Sequence, residues 1–172
     1  MDSVELLLED SVEERLRADW ATLLEANLPS QARHAAESNR PHITLLAAPA
    51  IPADADEVLA GIAHSLPLPM AVAGLVIFRT GRGHVLARLG VVSAALMRFH
   101  REVHQALGDV PHIAPNCLPD RWVPHITLAR GLSGEQISRA LDLLPAEHGR
   151  VAVTSLRRWN SRDRTTTALT SR

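Results

Sequence analysis

The sequence has no lysine, no tyrosine and a single cysteine. Cys117 therefore has no partner for a disulfide within the chain, which favours a reducing compartment. No apolar run approaches the roughly 20 residues that a membrane-spanning helix requires. The short apolar run at residues 6–8 is flanked by Glu5 and Glu9, whereas a signal peptide begins with positive charge and has a longer apolar segment. We therefore expect a soluble, cytoplasmic protein.

The chain also has little net charge, because 18 arginines nearly balance 19 acidic side chains and leave −1. This balance excludes an overall basic field that would attract long nucleic acid. The exclusive use of arginine is typical of a GC-rich genome, although guanidinium groups also suit bidentate phosphate contacts better than ammonium groups. With 172 residues and 46% hydrophobic content, the chain can bury one substantial core, or two small lobes sharing an interface.

What the sequence does contain is one pentapeptide written twice. Pro-His-Ile-Thr-Leu occupies residues 41–45 and again residues 124–128. The proline before each histidine favours extended backbone and fits the start of a strand. We therefore interpret each copy as a strand.

Apolar periodicity and turn-forming residues predict alternating strands and amphipathic helices around these two copies. Strands are expected at residues 4–8, at the first motif, near 71–79 and 83–90, at the second motif, and near 149–158 and 165–170. Helices are expected after a capping box at residues 11–14, near 53–65, at 93–107 and after a cap at residues 133–136. The first helix should bury one face that consists of Val12, Leu16, Trp20, Leu23 and Leu24.

The order of these elements repeats. Strand, helix, motif strand, helix and strand follow one another from residue 4 to 79 and again from 84 to 158, and the strand at 165–170 is left over. We therefore expect a single domain over residues 1–172 with an α+β fold. Two antiparallel-sheet lobes, approximately residues 4–79 and 84–158, should be related by a pseudo-two-fold axis, with helices outside and a groove between them.

Strand alternation places the His and Thr of each motif on one face and its Ile and Leu on the other. A two-fold axis would then bring His42 and Thr44 opposite His125 and Thr127 across the groove. A single His-x-Thr is usually a half-exposed polar face. Core packing explains the apolar pair, but it gives no reason for His and Thr to recur in equivalent elements.

Two histidines across a groove suit a reaction that needs one general base and one general acid. In the hydrolysis of a phosphodiester, a neutral imidazole takes a proton from water and an imidazolium gives one to the departing sugar oxygen. The hydroxyls of Thr44 and Thr127 can donate hydrogen bonds to the phosphate oxygens. The sequence has no HExxH motif and no acidic cluster at ligand spacing, so we expect no metal and no other cofactor.

With its paired His-x-Thr motifs half a chain apart, the stretch RWVPHITLAR at residues 121–130 and the duplicated α+β order, the chain resembles the two-histidine (2H) phosphoesterase superfamily. It is most similar to the bacterial branch of 2'-5' RNA ligase-like and RNA cyclic phosphodiesterase proteins. The resemblance implies RNA processing at an RNA 3' end, or a small cyclic nucleotide as substrate. A 2',3'-cyclic phosphate would be opened, or a 2'-5' linkage made or broken. It also implies His42 and His125 as the acid and base, with Thr44 and Thr127 binding phosphate.

The resemblance also implies that Arg130 lies near the phosphate, since it matches an arginine that follows the second motif in this branch. Strict alternation would put Arg130 on the face opposite His125, so the strand must end or twist before it. The first motif has no such arginine. It continues into Ala47 and Ala48, where relatives often place an aromatic residue that holds a base.

Without tyrosine, few side chains can stack on a base. Trp122 and Phe78 are candidates for the rim of the groove, although core packing explains Trp122 equally well. His100 and His104 have the i, i+4 spacing of metal ligands, but with no evident third ligand we expect a packed or solvated helix face.

Several alternatives stay open at this point. The same site could serve a 2'-5' RNA ligase or an RNA exonuclease, and a non-catalytic nucleotide- or RNA-end-binding domain could keep the groove. Two intact motifs favour the enzyme, because binding alone would tolerate loss of one histidine. The sequence indicates no obligate protein partner, so we expect a monomer, and it does not say which histidine is the acid.

Overall fold

The computed structural model describes residues 1–146 and 149–170, and it confirms the α+β class. The strands are β1 (Asp2–Leu8), β2 (His42–Ala48), β3 (Leu68–Thr80), β4 (Gly83–Val92), β5 (His125–Leu132), β6 (Gly149–Asn160) and β7 (Thr165–Ala168). The helices are α1 (Asp10–Glu25), α2 (Ala55–Ala63), α3 (Ala94–Leu107) and α4 (Gly134–Leu143), with short 3-10 turns at Gln31–Arg33 and Pro115–Cys117.

The strands form one antiparallel sheet with the order β2-β1-β6-β3-β4-β5, and β7 pairs with β6. The order is symmetric, because β1 lies between β2 and β6 just as β4 lies between β5 and β3. Strands β3 and β6, the last strands of the two repeats, pair with each other at the middle of the sheet. The paired residues are Leu68 to Val72 of β3 and Gly149 to Val153 of β6.

The two halves of the sheet do not follow the expected division at residues 4–79 and 84–158. Strand β3 of the first repeat pairs with β4, and β6 of the second repeat pairs with β1, so the third strands are exchanged. A tight turn with Thr80 paired to Gly83 joins β3 to β4, and strands joined this way pair with each other. Helices α1 and α3 also cross over, since α1 contacts β5 and α3 contacts β2.

The cap predicted at residues 133–136 is confirmed, and the one predicted at residues 11–14 is not. Ser93 caps α3, and Ser133 forms a capping box with Gln136 at the start of α4. The predicted capping box at residues 11–14 is wrong, because α1 begins at Asp10 after Glu9 and has no side-chain cap. That box needed Ser11 as the N-cap and Glu14 three residues later, but Ser11 lies inside the first turn of the helix. The carboxylate of Glu13 binds arginine side chains.

The core lies between the helices and one face of the sheet. Ile43, Leu45, Ile126 and Leu128 are fully buried there, as alternation predicts. Leu24 is 40% exposed, so its predicted place on the buried face of α1 is wrong: it is one residue, about 100° of helix rotation, past the buried Leu23. Strand β7 ends two residues before the predicted position 170. In the part of the chain that the structure describes, no helix is both long and apolar enough to cross a bilayer.

Candidate active site

The two motif histidines are held in the same way. Nδ1 of His42 lies 2.7 Å from the carbonyl oxygen of Arg40, and Nδ1 of His125 lies 2.7 Å from the carbonyl oxygen of Val123. A carbonyl can only accept, so each Nδ1 carries the hydrogen and donates it. The bond fixes the ring and leaves Nε2 of both histidines to exchange a proton with a substrate.

The backbone behind each threonine is held by a tryptophan from the other repeat. Nε1 of Trp20 donates to the carbonyl oxygen of Thr127 at 3.1 Å, and Nε1 of Trp122 donates to that of Thr44 at 2.9 Å. The Trp122 ring also stacks on His100, with ring centroids 4.2 Å apart and planes 5° from parallel. These contacts favour the packing alternative for Trp122 over a place on the groove rim.

Arg130 reaches the second threonine because β5 contains a β-bulge. Thr127 pairs with Ala87 and Ala129 pairs with Leu86, so Leu128 is an extra residue that shifts the alternation by one. Arg130 thereby returns to the face of Thr127, and its Nη2 donates to the Thr127 hydroxyl oxygen at 3.3 Å. The bulge explains how Arg130 joins this face without the strand ending.

Strand β2 has a bulge at the matching place. Thr44 pairs with Glu5 and Leu46 pairs with Val4, so Leu45 is the extra residue. The position equivalent to Arg130 is then Ala47, which contributes no charge. The second motif therefore has a cation, Arg130, beside its threonine, and the equivalent position of the first motif carries none.

The surroundings of His125 favour its neutral form. Burial lowers the pKa of His125, and the positive charges of Arg130 and His42 act in the same direction. The ring of Phe78 lies against it, with centroids 4.7 Å apart and planes tilted by 53°. The charges of His42 and Arg130 thus act on His125, and Phe78 contacts its ring. The place of Phe78 on a groove rim stays a prediction.

The surroundings of His42 include a buried acid that the sequence analysis missed. Oε1 of Glu5 lies 3.6 Å from Nε2 of His42, and Glu5 is 4% exposed. Nε of Arg157 donates to Oε2 of Glu5 at 2.8 Å, and the Ser3 hydroxyl donates to Oε1 at 2.6 Å. The sequence did contain a signal for this acid, because Glu5 stands within the apolar strand predicted at residues 4–8. A buried acid is rare unless it has a partner, so its position there indicates an ion pair.

His100 and His104, the i, i+4 pair on α3, lie against main-chain carbonyls of β2 and the turn before β5. Nε2 of His100 lies 2.9 Å from the carbonyl oxygen of Cys117 and 3.2 Å from that of Leu45, and burial lowers the pKa of His100 to about 4. Burial also raises the pKa of the Cys117 thiol to about 11. Among the described residues, no three His, Cys, Asp or Glu side chains lie together as a metal site would require.

Comparisons with known proteins identify the family and the fold. A family model described as the 2'-5' RNA ligase superfamily matches residues 9–165. Among solved structures, TT0787 of Thermus thermophilus superposes with a TM-score of 0.59 at 14% identity, covering 98% of this chain and 94% of that one. Apo LigT of E. coli superposes with a TM-score of 0.55 at 15% identity, covering 97% of this chain and 92% of that one. A structure described as a phosphoesterase superposes with a TM-score of 0.53 at 16% identity, covering 99% of this chain and 98% of that one. These structures share the fold. Comparison with curated proteins gives no match.

Proposed function

The chain belongs to the 2'-5' RNA ligase superfamily, and from this premise we propose that it is a metal-independent cyclic phosphodiesterase. It hydrolyses a 2',3'-cyclic phosphate on an RNA 3' end or a nucleotide, and His42 and His125 carry out the proton transfers. The family and the fold together support a phosphoesterase or RNA ligase type of function, and the finer choice depends on the site.

The matched pair of histidines is the observation that carries this proposal. Each Nδ1 donates to a main-chain carbonyl two residues earlier, which leaves each Nε2 to exchange a proton. A packing role would need neither the identical tethers nor the availability of both nitrogens. An acid/base reaction needs both.

The phosphate has its own set of donors. Thr44 and Thr127 follow the histidines by two residues in their strands, and Arg130 donates to Thr127. A phosphate between the two motifs would receive hydroxyl hydrogen bonds and the charge of one guanidinium, which stabilises the negative charge that grows in the transition state.

The reaction follows from this arrangement. One neutral Nε2 takes a proton from water while the water oxygen bonds to phosphorus. The bond from phosphorus to one ribose oxygen breaks in line, and the other Nε2, which is protonated, gives its proton to that oxygen. The product is a phosphomonoester beside a free ribose hydroxyl, and the acid and base regain their starting states by exchange with solvent.

The test is hydrolysis of the four nucleoside 2',3'-cyclic monophosphates, with the product position read by 31P NMR. We expect turnover that survives excess EDTA, because the histidines replace the metal in moving protons. Loss of activity on chelation that one divalent ion restores would contradict the metal-independent mechanism. Binding of the cyclic nucleotide without turnover would favour the binding-domain alternative, and joining of RNA ends through a 2'-5' linkage would favour the ligase.

A further inference from the structure

The two motif strands have equivalent neighbours in the sheet, but those neighbours differ in charge. Glu5 pairs with Thr44 of the first motif, and Ala87 pairs with Thr127 of the second. On the next strand toward the middle of the sheet, Glu5 pairs with Arg157 of β6, and Ala87 pairs with Val76 of β3. The first half therefore has a buried ion pair at the place where the second half has two apolar side chains.

The orientation of Glu5 leaves one of its oxygens directed at the histidine. Arg157 binds Oε2 through both Nε and Nη2, at 2.8 and 2.7 Å. Ser3 binds Oε1, and the same Oε1 lies 3.6 Å from Nε2 of His42. A hydrogen on that Nε2 is attracted to the carboxylate oxygen, whereas the lone pair of a neutral Nε2 would be repelled by it.

Other charged groups near His42 do not supply this negative charge. His125 and Arg130 on β5 are cationic or neutral. The side chain of Arg40, whose carbonyl oxygen holds Nδ1, is itself paired with Glu13. Glu13 is shared between Arg40 and Arg17. Glu5 is therefore the acid that acts on the His42 ring.

The opposite holds at His125. Its described neighbours in the groove are the Phe78 ring, Arg130 and His42, and none of these is an acid. Cationic neighbours and burial both disfavour a second positive charge, so the pKa of His125 is lowered.

We propose that Glu5, held by Arg157 and Ser3, is a positioning residue that keeps His42 protonated and so makes His42 the general acid and His125 the general base. This inference depends on the proposed hydrolysis. Nε2 of His125 takes the proton of the attacking water, whose oxygen bonds to phosphorus. The departing ribose oxygen takes the proton on Nε2 of His42 as its bond to phosphorus breaks.

The first experiment compares two substrates. A ribose oxygen needs a proton as it leaves, whereas p-nitrophenolate does not. We expect His42→Ala to lose on the order of 10²- to 10⁴-fold in turnover on a 2',3'-cyclic phosphate but to recover most of it on thymidine p-nitrophenyl phosphate. His125→Ala should lose activity on both. The reverse pattern would overturn the assignment, whereas hydrolysis of neither ester by the wild-type protein would instead refute the proposed function.

The second experiment needs the cyclic substrate alone. Glu5→Gln keeps the acceptor for Ser3 but removes the charge, so His42 should lose its proton at lower pH. The basic limb of the kcat/KM profile should then move down by on the order of one pH unit. Asp56→Asn is the matched control, since it breaks the adjacent Arg158 pair on the other face of β6 and should move neither limb. Movement of the acidic limb, or of neither limb, in Glu5→Gln would contradict the proposal.

A third measurement stands even where Glu5→Gln does not fold. NMR titration of the wild-type histidines, assigned with the two alanine variants, should show that His42 holds its proton to higher pH than His125. The opposite order would overturn the proposal without reference to activity.

Discussion

Replacing each motif histidine by alanine separates catalysis from folding, because each ring has few contacts to lose. The His42 side chain is 30% exposed, and its one recorded hydrogen bond to the main chain goes to Arg40. Losing such a bond costs about 1 kcal/mol, which lowers Tm by about 2–4 °C in a chain of this size. His125 also loses its contact with Phe78, worth about 0.5–1.5 kcal/mol more.

Turnover should fall much further than stability. A positioned acid or base contributes on the order of 10²- to 10⁴-fold, or about 3–5 kcal/mol of transition-state stabilisation. Steady-state hydrolysis of a 2',3'-cyclic phosphate and a thermal melt of the same preparation measure both quantities.

The matched control is His64→Ala. His64 is exposed and its Nδ1 also lies near a main-chain carbonyl, that of Gly61 at 3.1 Å. It follows the last residue of α2 and belongs to neither motif, so its loss should change Tm slightly and activity not at all. If His42→Ala and His125→Ala stay active and merely melt earlier, the repeated motif serves packing and the enzymatic proposal is refuted.

Three further predictions follow from the same contacts. Thr44→Val and Thr127→Val should each cost about 1.5–3 kcal/mol of transition-state stabilisation, measured as the change in kcat/KM. This is less than the cost of either histidine variant, because other phosphate donors remain. A cost as large as that of a histidine variant would contradict this. Since the pKa of His125 is lowered, kcat/KM should fall on the acid side with a midpoint below 6.5, and a higher midpoint in a pH profile would count against His125 as the base. The pKa of His100 is about 4 in the folded protein and 6.5 in the unfolded chain. Between these values the unfolded chain binds a proton at His100 that the folded protein does not bind. The free energy of unfolding therefore decreases as pH falls from about 6.5 to 4. Denaturant melts should show a loss of about 3 kcal/mol across this window, which His100→Gln should reduce.

The sequence was sufficient for the fold class and the superfamily because both depend on local patterns. Alternation within the two motifs correctly separates the polar face from the buried isoleucines and leucines. The capping box at Ser133 forms as predicted, with reciprocal hydrogen bonds between Ser133 and Gln136. The one expected at residues 11–14 does not form, because α1 already begins at Asp10 and Ser11 is therefore inside the helix rather than at its N-cap.

The candidate site was predictable in its motif residues and not in what surrounds them. The bulge that returns Arg130 to the groove follows from pairing with β4, and the pair of Glu5 with Arg157 joins residues 152 apart in sequence. Both the bulge and the ion pair depend on which strands are neighbours in the sheet. The periodicity of apolar residues along one strand does not predict its neighbours. Each threonine is followed by two consecutive apolar residues, Leu45–Leu46 and Leu128–Ala129, and both members of each pair are buried. Two consecutive apolar residues in an otherwise alternating strand are what a bulge at this position produces. The catalytic roles of the motif residues stay predictions.

The exchange of β3 and β6 makes the chain equivalent to a tethered homodimer. A single repeat on its own would leave its first strand with an unpaired edge, and a second copy could fill that edge by the same exchange. Two identical subunits, however, must carry the same residue at every equivalent position. Joining them through the turn between Thr80 and Gly83 removes that constraint, so one half can keep Glu5 where the other has Ala87, and Arg130 where the other has Ala47. The fused chain can therefore assign opposite tasks to its two histidines before substrate binds, whereas in a symmetric dimer only the bound substrate or a shared proton could distinguish them.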